Sequence, residues 1–386
     1  MNKPLIYLDH CATTKVCPQA VEAAVHVMQE EFGNPSSLHF LGYQAEKVFR
    51  SARETLAKGL DCQPEEVYFT SGATESNNLA IRGGLTARRR QRNKVITTAI
   101  EHASVLELTK QLAQEGYEVE YISPKSNGQF DPMDFFQAVD EKTALVSVML
   151  VNNETGLRLP VEEIAKAVKR KDPEVLVHVD GVQGFLKIPF SFRKSGIDLF
   201  SASGHKVYAP KGVGLLAVKK GVRLVPLLYG GHQQKNLRVG TEAMPQIAAF
   251  AASASWLMET ASAHLEHYRA LNACLREKLG RLEGITFHSD EHCVPYILNF
   301  SVKDIRSEVN LHFLEQYGIC VSSGSACAKG AKSHVLKALG KTDREADTAL
   351  RIGLGPENTE EEMEELAHHQ KPIHHSRGTQ RGEYGF

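Results

Sequence analysis

Short runs of β-branched and apolar residues alternate with amphipathic helical patterns through most of this chain, and that alternation leaves few architectures open. Strand-like runs lie at 66–70, 94–98, 118–122, 143–151, 175–179, 197–201 and 214–218, with helical patterns over 104–113 and 161–169. Strands alternating with helices predict an α/β fold whose mostly parallel sheet is covered on both faces. An Ala- and Leu-rich helical pattern from about Pro245 to Leu282 marks the bridge into a second domain, and no internal repeat interrupts the order.

In such sheets ligands gather at the carboxyl ends of the strands, and here those ends are polar. Ser201-Ala202-Ser203-Gly204-His205-Lys206 follows the run at Ile197–Phe200, and the run at Val175–Val179 delivers Asp180 and then Gln183. An amine, a carboxylate and hydroxyl or imidazole groups gathered there suggest a carbonyl cofactor. Pyridoxal phosphate needs a lysine to bond its aldehyde, a carboxylate to keep the ring nitrogen protonated, and donors for a dianionic phosphate. Lys206 and Asp180 match the first two needs, although singly they read equally as a surface lysine and a helix N-cap.

The run Glu66–Thr70 leads into Ser71-Gly72-Ala73-Thr74-Glu75-Ser76-Asn77-Asn78, which opens a helix through Leu79 and Ile81. N–H groups at that helix start, with the Thr74 hydroxyl, offer a phosphate site; an ordinary capped helix has the same composition. His102 follows Val95–Ile100 and suits stacking on an aromatic cofactor, and Asn153 follows Ala144–Val151 and suits a bond to its ring substituent or to the substrate. Alone, each is a common turn or cap residue. Their weight comes from agreement with Asp180, Gln183 and Lys206.

Composition narrows the class. The chain has 386 residues, 42% hydrophobic and 24% charged, with a formal net charge of -1, which gives no reason to expect a nucleic acid as the main ligand. No apolar run reaches the roughly 18 residues of a membrane span, and the start Met1–Asp9 lacks the long apolar region of a secretion signal. Seven scattered cysteines without a Cys-x-x-Cys pair fit a reducing cytoplasm and give no structural zinc site, and no metal site is expected. The basic stretch Arg88–Lys94 reads as a solvated helix end, and His368-His369 and His374-His375 as part of a polar, frayed tail.

The order of motifs resembles the NifS/IscS-type cysteine desulfurases, fold-type I enzymes of the class V aminotransferase group. The resemblance runs through Tyr7-Leu8-Asp9 with Ala12-Thr13-Thr14, Phe32-Gly33-Asn34-Pro35-Ser36-Ser37, Thr70 to Asn78, Glu101-His102 and Val151 to Gly156. It continues through His178-Val179-Asp180, Ser203-Gly204-His205-Lys206, Arg238-Val239-Gly240-Thr241-Glu242 and Ser322 to Cys327, covering the chain to about Glu365.

That resemblance implies a large pyridoxal phosphate-binding domain over 15–255 and a smaller α+β domain from 1–14 and 256–386 that carries Cys327. Lys206 would bond the coenzyme and move protons, Asp180 would pair with the ring nitrogen, Gln183 would bond the ring oxygen and His102 would stack on the ring. Gly72, Ala73, Thr74, Ser203 and His205 would bind the phosphate, with Thr241 reaching over from a second subunit of a homodimer. Asn153, Asn34 and Arg351 would bind the substrate, an arginine suiting a carboxylate because its planar fork meets both oxygens.

Cys327 gives the resemblance its specificity. It lies in Val321-Ser322-Ser323-Gly324-Ser325-Ala326-Cys327-Ala328-Lys329-Gly330, whose small residues permit movement and leave the sulfur accessible, with Lys329 and His334 nearby in sequence as sources of positive potential. The implied activity takes sulfur from L-cysteine as a Cys327 persulfide, releases alanine and passes the sulfur to an acceptor or scaffold protein, for iron–sulfur cluster assembly or tRNA and cofactor thiolation. Selenocysteine lyase or another class V pyridoxal phosphate enzyme that does not use Cys327, and an inactive partner-binding scaffold, are the alternatives. The other six cysteines read as structural thiols. Cys11 stands where the pattern has a small residue, usually alanine, which suggests a place near the site entrance; Pro356 replaces an expected arginine, and the stretch after Cys327 is short.

Overall fold

A computed structural model describes residues 4–323 and 333–375, so Cys327 and Lys329 lie outside the described residues. The chain forms two units, one of Thr14–Asn152 and Leu159–Ala261, the other of the described residues within Met1–Thr13, Asn153–Arg158 and Ser262–Phe386.

Strand β1 (Ile6–Tyr7) belongs to the smaller unit. The larger unit is built on β2 (Val67–Thr70), β3 (Lys94–Thr98), β4 (Glu118–Ile122), β5 (Thr143–Met149), β6 (Leu176–Asp180), β7 (Leu199–Ser203) and β8 (Gly214–Val218). They form one seven-stranded sheet in the order β2-β8-β7-β6-β5-β3-β4. The pairs from β4 through β7 are parallel, whereas β8 runs antiparallel to both β7 and β2. Strands buried on both faces read as unbroken apolar runs, and β5, with every residue buried, is one.

Helices Ala73–Arg88 and Ala103–Gln114 bury Leu79, Ile81, Leu85, Leu108 and Leu112 in one cluster with sheet residues including Leu145 and Leu176. The helix start at Ala73 sits hard against the sheet because Gly214 has no side chain: a Cβ there would lie 2.7 Å from the Gly72 Cα. The expected basic helix end is partly anchored. Lys94 is buried and pairs with Glu120 at 2.8 Å and Asp140 at 2.9 Å, and Arg92 bonds Asp172 at 2.6 Å.

The smaller unit carries β9 (Ile285–Phe287), β10 (Ile297–Val302), β11 (Ile319–Cys320), β12 (Ser322–Ser323) and β13 (Ala349–Gly353). Four of these form an antiparallel sheet in the order β12-β13-β10-β9, and β1 pairs in parallel with β11. Segment Asn153–Arg158 joins this unit through Val294 N–H donating to Gly156 O at 2.8 Å and Asn299 Nδ2 donating to Glu154 O at 3.1 Å. Gly156 takes φ +80°, a left-handed turn that a side chain resists, with Ile297 close beside it.

Where a frayed tail is expected from His368, helix Glu360–His375 continues. The reason is packing: His369 stacks on Tyr317 with ring centroids 3.7 Å apart, and buried Gln370 exchanges hydrogen bonds with Asn310 at 3.1 and 3.2 Å. Among the described residues no helix is long and apolar enough to cross a membrane, and no cluster of His, Cys, Asp and Glu is arranged for a metal ion.

Candidate active site

In the larger unit the polar residues predicted at strand ends come together on adjacent strands. Asp180 closes β6 in register with Ser201 of β7, and β7 passes straight into a tight turn, Gly204–Lys206. The Asp180 carboxylate is buried; Oδ2 accepts from Asn77 Nδ2 at 2.8 Å and Oδ1 from Val182 N–H at 3.1 Å. Gln183 follows in the same turn, also buried.

The turn that carries Lys206 is clamped. Thr14 donates to the His205 carbonyl from both N and Oγ1, at 2.9 and 3.1 Å, and its Oγ1 accepts from Tyr208 N–H at 2.8 Å. Tyr208 has φ +63°, a left-handed conformation costly for a residue with a bulky side chain. Thr14, the bond from Cys17 N–H to Tyr208 O at 2.9 Å and the edge of Trp256 against the Tyr208 ring hold it there.

Opposite the turn, a Cβ on Gly72 would meet only the Ser203 hydroxyl, 3.9 Å away, so the start of helix Ala73–Arg88 and Ser203 border one opening. His205 has its pKa pushed down to about 4 by burial, with the charges of Lys206, Lys211 and Lys187 adding to the effect. A neutral imidazole among lysines is a setting for an anion. His102 caps helix Ala103–Gln114: its Nδ1 accepts from Ser104 N–H at 3.1 Å and lies 2.9 Å from Ser104 Oγ.

Three predicted residues are exposed. Thr74 is exposed on the first turn of its helix, and Asn34 is an exposed loop residue whose Oδ1 accepts from Ser36 N–H at 2.9 Å. Thr241 is exposed as well, in a segment tied to the same helix by Arg238 on Glu75 at 2.9 Å.

Asn153 and Arg351 belong to the smaller unit. Arg351, 2% exposed on β13, donates from Nη1 to the Asn153 carbonyl at 3.0 Å and from Nη2 to Asp9 Oδ1 at 2.7 Å, while its buried Nε has no hydrogen-bond partner. Burial alone would lower the guanidinium pKa, but Cys11, Asp9 and Glu154 raise it. Glu154 is itself pushed up to about 7 by burial, against a hydrogen bond from Ser333 Oγ at 2.5 Å. Cys11, expected near an entrance, is buried, and its sulfur packs beside Gly353.

Sequence reasoning assigned no role to Asn77, Ser104, Thr14 or Asp9. All but Ser104 stood inside the motifs already singled out, and Ser104 is two residues beyond His102.

The family described as aminotransferase class-V matches residues 6–366. A cysteine desulfurase of Nostoc sp. is 41% identical over 370 residues, covering 94% of this chain and 91% of that protein. The cysteine desulfurase NifS of Azotobacter vinelandii is 37% identical over 377 residues, covering 95% of this chain and 92% of its own. A solved structure of a NifS-like protein superposes with a TM-score of 0.92 at 38% identity, covering 97% of this chain and 100% of that one.

Proposed function

The chain belongs to the class-V aminotransferase family, and from that premise we propose that it is a pyridoxal phosphate-dependent cysteine desulfurase that takes sulfur from L-cysteine through Cys327. The observation that carries this reading is the buried Asp180 carboxylate, held on both oxygens, at the strand end beside the turn of Lys206. Support for a phosphorylated coenzyme comes from the neutral His205 among lysines, with Ser203 and the helix start at Gly72 and Ala73 bordering one opening. These residues fit the group: Lys206 would bond it, Asp180 and Gln183 would meet the ring nitrogen and oxygen, and His102 would stack on the ring. Pyridoxal phosphate, when bound, supplies an aldehyde that captures an amino group and a ring that accepts electrons.

In this reading Arg351 holds the substrate carboxylate with Asn153 and Asn34. Asp9 keeps the Arg351 fork in one orientation, so little rotamer freedom is lost when substrate arrives. Lys206 moves the proton between nitrogen and carbon. The Cys327 thiolate attacks the substrate sulfur: a sulfur–sulfur bond forms, the carbon–sulfur bond breaks with its electron pair going to carbon, and a returned proton makes alanine. The role of Cys327 rests on its sequence context. We further read the protein as a cytoplasmic homodimer, with Thr241 completing the phosphate site of its neighbour and an acceptor or scaffold protein taking the sulfur.

The test is incubation with L-cysteine and pyridoxal phosphate, measuring alanine and sulfide together and mapping added sulfur by mass spectrometry. Equal alanine and sulfide in the presence of a dithiol, and extra sulfur on Cys327 when the dithiol is left out, are the expected results. Alanine formation that survives Cys327→Ala, or extra sulfur confined to another cysteine, would move the nucleophile elsewhere.

A further inference from the structure

Asp180 ends β6 and His102 caps the helix that follows β3, yet two intervening side chains join them. Asn77, fully buried on helix Ala73–Arg88, donates from Nδ2 both to Asp180 Oδ2 at 2.8 Å and to Ser104 Oγ at 2.9 Å. Its Oδ1 is buried without a hydrogen-bond partner. Turning the amide over would set that oxygen against the carboxylate, so the orientation of Asn77 is decided by Asp180.

The direction of the remaining bonds follows. Ser104 Oγ accepts from Asn77 and keeps its own proton to give, and His102 Nδ1 lies 2.9 Å away. The Ser104 main-chain N–H, which can only donate, reaches the same Nδ1 at 3.1 Å. Two donors aimed at Nδ1 require a lone pair there, so the proton of the neutral ring sits on Nε2.

We propose that Asn77 is a positioning residue that orients the Asp180 carboxylate and, through Ser104, fixes the His102 ring with its proton on Nε2. One side chain thereby aligns two groups of the site: the acceptor beneath the coenzyme and the ring that stacks on it. This role presupposes the functional reading above, in which Asp180 and His102 face the coenzyme. His102 then exchanges protons through Nε2, because protonating Nδ1 would break its bond from the Ser104 main-chain N–H and reverse the one with the Ser104 hydroxyl.

Nuclear magnetic resonance of the holoenzyme with isotope-labelled histidine reads which ring nitrogen carries the proton. The wild type is expected to show His102 protonated on Nε2. Asn77→Asp keeps the side-chain outline but replaces a donor with an acceptor; the Ser104 hydroxyl then turns toward it, and the ring shifts toward the Nδ1-protonated form. In that variant kcat falls about ten- to a hundredfold while KM for L-cysteine stays within about threefold. Ser104→Ala, at a partly exposed position, weakens the tautomer preference with Asp180 still bonded, and Ser104→Thr restores it.

A wild-type ring protonated on Nδ1 overturns the proposal, as does an unchanged tautomer in both Asn77→Asp and Ser104→Ala. Should Asn77→Asp fail to fold, Ser104→Ala with its threonine rescue decides alone. A wild type that shows the Nε2 proton but gains no visible coenzyme band would sink the functional reading and leave the tautomer assignment standing.

Discussion

Two buried charged side chains, Asp180 in the larger unit and Arg351 in the smaller, are built in opposite ways. Asp180 ends a central strand, and its neighbours Ser201 and Asn77 come from the adjoining strand and the helix packed on the sheet. Arg351 takes its partners from remote parts of the chain, Asp9 at a separation of 342 residues and Asn153 at 198. A sheet gathers the first group by its topology alone. The second exists only once the N-terminal segment and the Asn153–Arg158 segment have joined the smaller unit.

The largest expected effect lies on the sheet side. Lys206→Ala should abolish alanine formation, a loss of about a thousandfold or more, together with the visible absorbance of bound coenzyme; full turnover in that variant would falsify the assignment. On the other side, Arg351→Lys keeps the charge but loses the planar fork. KM for L-cysteine should rise about tenfold or more with a smaller change in kcat. A KM that does not move would leave the Arg351–Asp9 pair as a purely structural brace and end the comparison.

The smallest effect compares two buried carboxyl groups, one in each unit. Burial pushes Glu101 up to about 8, opposed by bonds from Thr98 and Met149 and reinforced by Asp180, and it pushes Glu154 up to about 7. Both folded values exceed the ordinary 4.5, so the folded state holds these protons more tightly. Their stabilising contribution is complete below the ordinary value and is lost as pH rises through 7 and 8. Urea unfolding should show stability falling by about 1–3 kcal/mol between roughly pH 5 and 8 and levelling above that. Glu101→Gln should flatten the upper part of that decline and Glu154→Gln the lower. Identical curves for wild type and both variants would mean that neither carboxyl is kept neutral by burial.

The strand ends were legible because a parallel sheet buried on both faces writes itself as apolar runs, and the next polar residue marks the end. The runs at 94–98, 118–122 and 214–218 coincide with β3, β4 and β8. Helical patterns at 104–113, 161–169 and 245–282 fall within a few residues of Ala103–Gln114, Val161–Lys171 and Met244–Gly280. The run at 143–151 overshoots β5, because Leu150 N–H turns to the Asp180 carbonyl and Asn152 bonds the Ile100 carbonyl. What could not be read was contact across sequence: Asp9 on Arg351, the strained Tyr208 under Thr14, and the amide of Asn77 between two groups. Each is a polar pairing with no periodicity, and only the folded chain brings its members together.

Gly214 leaves a last consequence for anyone who would re-engineer the protein. Since its α-carbon abuts the peptide of Gly72 with no room for a methyl group, it acts as a gauge block between β8 and the start of helix Ala73–Arg88. Enlarging this one position would push the helix start off the sheet.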